Sequence, residues 1–131
     1  MQMGDTMVLI FGGAYQGKLA YALDRFGLSG DDVHMCEDSA DIPADKKIIY
    51  GIDKWILALI NAGMETQGQV QRLIENCPDA VVICNDISCG VVPMDAVMRK
   101  WREAVGQALS ELSRHSSEVV RLFCGIPTRV K

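Results

Sequence analysis

The sequence predicts an α/β fold: one domain over residues 1–131, three layers deep, with a mainly parallel sheet flanked by helices. Three observations predict it. Short β-branched apolar runs alternate along the chain with amphipathic stretches of three-four spacing. The first apolar run passes directly into a glycine-rich turn and then a helical pattern. The run from Ala80 to Cys84 is apolar at every position, as a strand covered on both faces must be. Strands separated by helices pair in parallel through right-handed crossovers.

Thr6 to Phe11 reads as the first strand, and Leu19 to Phe26 as a helix stopped by Gly27. Short strands follow at Val33 to Cys36 and at Lys47 to Tyr50, each preceded by turn residues. Trp55, Ile56, Leu59 and Ile60 keep helical spacing up to a break at Gly63, and Val70, Leu73, Ile74 and Cys77 continue it until Pro78 ends the second helix. Ala80 to Cys84 is the central strand. After Pro93, the stripe Val97, Met98, Trp101, Val105, Ala108, Leu109 and Leu112 marks a long helix, with Trp55 and Trp101 as core anchors. Val119 to Cys124 is the last strand, and Gly125-Ile126-Pro127 opens a short tail ending at Lys131.

A chain of 131 residues suits one domain, close to the roughly 150 residues of a common domain size. Hydrophobic residues at 49% and charged residues at 23% suit a packed core. A net charge of -4 offers no positive field for nucleic acid or an anionic membrane, so neither is expected as a partner. No basic leader precedes an apolar core, and no apolar run approaches the roughly 18 residues of a membrane span, so a cytoplasmic location is expected. The five cysteines form no C-x-x-C pair, which points to reduced thiols. Cys36, Cys84 and Cys124 each end a strand and read as small buried hydrophobes.

Gly12-Gly13-Ala14-Tyr15-Gln16-Gly17-Lys18-Leu19 satisfies the G-x-x-x-x-G-K phosphate-loop (P-loop) pattern and departs from it at Leu19, where Ser or Thr is usual. Glycines let successive N–H groups face phosphate oxygens, the lysine adds a charge, and the helix start adds positive potential. The expected ligand is therefore a nucleotide or another phosphate. Leucine cannot supply the hydroxyl that binds Mg²⁺ between the β- and γ-phosphates. Its loss weakens phosphoryl transfer more than anion binding, since the transition state depends on that charge.

Four blocks together resemble the adenosylcobinamide kinase / adenosylcobinamide-phosphate guanylyltransferase family of cobalamin biosynthesis. Gly12 to Lys18 is similar to the family's G-G-A-R-S-G-K-S, and Val81 to Asp86 with Gly90-Val91-Val92-Pro93 is similar to its strand and following N-E-x-x-x-G-(I or V)-V-P. Trp101-Arg102-Glu103 with Gly106 falls where the family has F-R-D and G, and Gly125-Ile126-Pro127 to Lys131 resembles G-I-P-V-x-x-K. The resemblance implies a P-loop NTPase-like domain, GTP or ATP as nucleotide, a corrinoid as second substrate and a homo-oligomer. It adds Asn85, Asp86 and Gly90 to the nucleotide-binding candidates; the plainer role for Asn85 and Asp86 is to turn the chain after a buried strand.

The departures bear on activity. The family's acidic strand-end residue in D-C-L-T-x-W-L-T-N falls on Tyr50, and the Asn of that block on Ala58. With Leu19, two metal-related positions are altered, so Mg²⁺ binding in the family's manner is not expected. Asp53 is expected to cap its helix, or to take over the metal role. The family's guanylylated histidine lies on a helix for which this chain has no counterpart; His34 falls in a strand and His115 at a helix end, and no catalytic or metal-binding residue is assigned. Three readings follow: a degenerate relative that binds nucleotide or phosphate without efficient catalysis; a transferase with relocated ligands at Asp53 or Asp86; and a non-catalytic assembly or regulatory subunit.

Overall fold

In the computed structural model, which describes residues 7–12, 17–36, 42, 43, 45–85, 96–123 and 126–131, the chain starts with β1 (Val8–Gly12) and α1 (Lys18–Phe26). A 3-10 turn at Gly30–Asp32 leads to β2 (Val33–Met35) and β3 (Ile48–Tyr50). Then come α2 (Ile52–Asn61), α3 (Thr66–Asn76), β4 (Val81–Asn85), α4 (Ala96–His115), β5 (Glu118–Phe123) and β6 (Ile126–Arg129). The strands form one sheet in the order β2-β3-β4-β1-β5-β6, parallel throughout except for the β5–β6 pair. This is an α/β fold of the P-loop kind, as the sequence predicts.

The sequence explains where the helices stop. Gly27 closes α1 in the left-handed region (φ 64°), its N–H donating to the Leu23 carbonyl. Gly63 does the same work beyond α2 (φ 72°), donating to the Ile60 carbonyl. Glu65 caps α3 by accepting from the Gly68 N–H at 2.6 Å.

Two apolar layers sandwich the sheet. Val8, Ile10, Ile48, Val81, Ile83 and Val120 face α1, which contributes Ala22 and the half-buried Leu19, Leu23 and Phe26. The alternate residues Leu9, Ile49, Val82, Cys84 and Val119 face α2, α3 and α4, which bring Trp55, Ile56, Leu73, Val105 and Leu112. Both layers are apolar because strands buried on two faces have no solvent side. Each such side chain contributes about 1.5–3 kcal/mol through burial.

Two expectations need correction. The segment after Gly125 is not a tail: β6 lies antiparallel on β5, with Leu122 opposite Pro127 and Phe123 opposite Ile126. All four β6 residues are exposed, so no buried alternation marks the strand in the sequence, and Pro127 is tolerated because the strand lies at the edge. The central strand also runs one residue further than expected, to Asn85, which brings that side chain onto the sheet rather than into the following loop. Cys36 stands just beyond β2, its N–H still donating to the Tyr50 carbonyl at 2.8 Å.

Candidate functional site

The carboxyl ends of β3, β4 and β1 lie side by side. Gly12 pairs with Asn85 across β1 and β4, and Tyr50 pairs with Ile83 across β3 and β4. The Gly51 N–H extends that ladder by donating to the Ile83 carbonyl at 2.9 Å. The crossover from β1 runs to β2 on one side, while that from its neighbour β4 runs past β1 to β5 on the other, so the crossover direction reverses between these two strand ends. Such a reversal, at strand carboxyl ends, is where ligands settle in open α/β sheets.

Gly12 is needed at this point for its positive φ of 159° and for packing. A Cβ on it would fall 2.3 Å from the Leu122 carbonyl oxygen on β5, so the strand end can hold no larger residue. Gly17 precedes α1 in the left-handed conformation (φ 79°) and caps it without a side chain. Lys18 is the first residue of α1 and is buried, only 2% exposed. Burial pushes its ammonium below the usual lysine value, against the raising influence of the Asp53 carboxylate and the Cys84 sulfur. Leu19 packs into the apolar layer beneath α1. Of the phosphate-loop candidates, Gly12, Gly17, Lys18 and Leu19 are thus gathered at one strand end. Gly13, Ala14, Tyr15 and Gln16 lie outside the described residues, as do Asp86 and Gly90.

Asp53 does not cap its helix. Gly51 takes that position in the left-handed conformation (φ 93°), with its carbonyl accepting from the Lys54 and Trp55 N–H groups. A Cβ at Gly51 would sit 3.3 Å from the Cys36 carbonyl oxygen, so the tight entry into α2 needs glycine on two counts. Freed from capping, the Asp53 carboxylate, 4% exposed, turns to the end of β4. Its Oδ1 accepts from the Asn85 backbone N–H at 3.2 Å, and its Oδ2 from the Asn85 side-chain amide at 3.5 Å. Trp101 fixes the same turn from α4, donating from Nε1 to the Asp53 carbonyl at 2.8 Å. The Asn85 side-chain oxygen is buried with no hydrogen-bond partner.

Sequence reasoning did not find this grouping. Asp53 lies three residues past the position where the family carries its acid, and only the left-handed Gly51 turns it toward Asn85. Tyr50 itself packs on the α1 side of the sheet. Cys36 and Cys84 are buried in the layer beneath α2 and α4, and Cys77 is buried as well. Burial and the nearby Asp53 charge push the Cys36 thiol up to about 12. Cys89 and Cys124 lie outside the described residues. His34 is half-buried in β2, and His115 ends α4 with Nε2 3.2 Å from Glu111.

A groove of about 390 Å³ lies elsewhere, between α3 and α4, where Gln67 donates to Gln107 and Glu111 pairs with Arg114. Four of its polar side chains are paired with each other, whereas the strand ends hold a buried cation, a buried anion and an unpartnered amide oxygen. No described helix is long and apolar enough to cross a membrane.

A sequence model described as cobinamide kinase / cobinamide phosphate guanyltransferase matches residues 40–130, well over half of the chain. The match takes in Tyr50, Asp53, Asn85 and the β4–β6 segment, and leaves out Gly12–Leu19, for which the end of β1 and the start of α1 speak alone. No curated protein matches the chain.

Proposed function

Because the chain belongs to the cobinamide kinase / cobinamide phosphate guanyltransferase family, we propose that it binds the phosphate tail of GTP or ATP on the turn from Gly12 to Leu19, without efficient turnover. The observation that carries this reading is the buried Lys18 at the first position of α1, level with the strand end where Gly12 pairs with Asn85. A buried lysine and a helix N-terminus supply the potential an anion needs. Leu19 and Tyr50, both turned to packing, leave the family's reaction without its usual metal-facing oxygens.

Phosphoryl transfer of the family's kind draws on a divalent cation, which would supply positive charge against the charge that develops on the phosphate. The residues present fit such an ion in part. The Asp53 carboxylate and the orphaned Asn85 amide oxygen are hard oxygen donors of the type Mg²⁺ takes. Among the described residues no three His, Cys, Asp or Glu side chains group together, so a cation here would rely on phosphate and water for the rest of its shell. Lys18 would orient the phosphate tail, and α1 would hold it through its first N–H groups.

A second reading is favoured by Asp53 itself: an active transferase of cobalamin biosynthesis, with Asp53 as relocated ligand and a corrinoid as acceptor. Turnover of labelled GTP and ATP with cobinamide-type acceptors separates the two. The first reading expects rates far below the roughly 1–100 s⁻¹ of ordinary kinases. Magnesium-dependent turnover in that range, abolished by Lys18→Ala, overturns it in favour of the second.

A homo-oligomer belongs to the same proposal. Phe123, Ile126 and Val130, at 61%, 64% and 60% exposure, give the β6 edge an apolar surface of the kind that a second copy covers. Light scattering on the eluting protein tests it, a multiple of the chain mass being expected and a strict monomer contradicting it.

A further inference from the structure

Resting on the phosphate-binding reading above, we propose that the site takes its phosphate together with a divalent cation, and that Asp53, with Asn85 beside it, is the protein's cation-facing oxygen group. It would stand in for the hydroxyl absent at Leu19 and the acid absent at Tyr50, from a position three residues along the chain.

Lys18 and Asp53 are both buried at the same strand ends and bear on each other electrostatically. A buried cation thus stands beside a buried anion. A bare phosphate attracted to Lys18 would also meet a carboxylate that cannot move into water, and like charges at close range in a buried setting repel strongly. A divalent cation arriving with the phosphate removes the conflict, since it is attracted to both.

Position makes the same point. Gly51 caps α2, and the Asp53 carboxylate is held toward β4 by two donors from Asn85. Trp101 secures the backbone of that turn from a third element. Each carboxylate oxygen receives one of these hydrogen bonds and retains lone-pair capacity for another partner. The Asn85 side-chain oxygen, buried and unpartnered, is a separate sign that a donor or cation completes this spot, since buried polar atoms are rarely left alone.

The donor set then fixes the order of binding. Mg²⁺ is commonly held by one or two carboxylates with substrate phosphates and waters completing its octahedron. With no group of three His, Cys, Asp or Glu side chains among the described residues to hold it, the cation should bind weakly by itself and well with phosphate. Coupling of this kind is reciprocal, so phosphate should bind better with the cation by the same factor.

The test is pyrophosphate binding by calorimetry, with and without Mg²⁺, to the wild-type chain and to Asp53→Asn, together with the electron paramagnetic resonance of Mn²⁺ in the same mixtures. We expect the cation to tighten wild-type binding about tenfold or more. Asp53→Asn should bind metal-free pyrophosphate more tightly than wild type, lose the cation's effect, and leave the Mn²⁺ signal that of the pyrophosphate complex in solution. Pyrophosphate binding to the wild-type chain that is equal with and without the cation overturns this inference and leaves the phosphate reading standing. Absence of pyrophosphate binding under every condition overturns both. Should Asp53→Asn fail to fold, the cation dependence and Mn²⁺ signal of the wild-type protein decide the matter.

Discussion

The Asp53 carboxylate accepts from both the backbone N–H and the side-chain amide of Asn85, tying the first turn of α2 to the end of β4. Removing it leaves a partly buried N–H without its acceptor. Asp53→Ala should cost about 1–3 kcal/mol of stability in denaturant unfolding, the cost of an unsatisfied buried donor. Asp53→Asn, which retains an acceptor oxygen, should cost clearly less. Equal losses for the two would show that packing, and not the hydrogen bonds, holds the turn.

Gly12 and Gly51 make different demands on the same site. Gly12→Ala drives a Cβ to 2.3 Å from the Leu122 carbonyl and must displace β1 from β5; overpacking of this kind costs about 1–3 kcal/mol. Gly51→Ala places a side chain at φ 93° and 3.3 Å from the Cys36 carbonyl, costing about 1–3 kcal/mol. Gly17, with nothing within 4 Å of a Cβ, would lose only its left-handed freedom. Thermal melts of the three alanine variants should therefore rank Gly17 as the mildest.

The fold was legible because its signals are local. Apolar runs, three-four stripes and the stops at Gly27, Gly63 and Pro78 each act within a few residues, and they account for β1 to β5 and all four helices. The exposed β6 gave no such signal, since an edge strand with Pro127 has neither burial pattern nor the usual propensities. The loop from Gly12 to Leu19 was legible as a motif. The grouping of Asp53 with Asn85 was not, because it depends on β3 lying beside β4 and on the conformation of Gly51, and both are tertiary facts.

Cys36 is buried and its thiol is pushed up from 9.0 to about 12, so little thiolate forms in the folded chain near neutral pH. Iodoacetamide at pH 8 should leave the Cys36 peptide unlabelled in the native protein and label it fully in denaturant, as read by mass spectrometry. Above pH 9 the unfolded chain ionises this thiol while the folded chain does not. Stability should accordingly fall as pH rises through that window, and Cys36→Ala should lessen the fall.

Arg25 reaches from α1 to Glu118 at the start of β5, 2.5 Å away, and stacks over Phe26 with its guanidinium 4.8 Å from the ring centre. Hydrogen bonding from Arg25 holds the Glu118 carboxyl below its ordinary 4.5. A carboxyl depressed in the folded state contributes stability above its unfolded value and loses it as pH falls through the folded one. The pair is partly exposed, so water screens it, and about 0.2–1 kcal/mol is expected. Glu118→Gln should lower stability at pH 7 by that amount and by progressively less as pH falls below the ordinary carboxyl range; a loss that does not change with pH would contradict the assignment.

The most direct measurement of the central claim is calorimetric titration of GTP, ATP and pyrophosphate into the wild-type chain and Lys18→Ala, in buffer containing Mg²⁺. The account predicts micromolar binding of at least one of these ligands to the wild type, weakened tenfold or more when the buried lysine is removed. Affinity that is unchanged in Lys18→Ala would contradict it, because phosphate would then be held somewhere other than the turn at the head of α1.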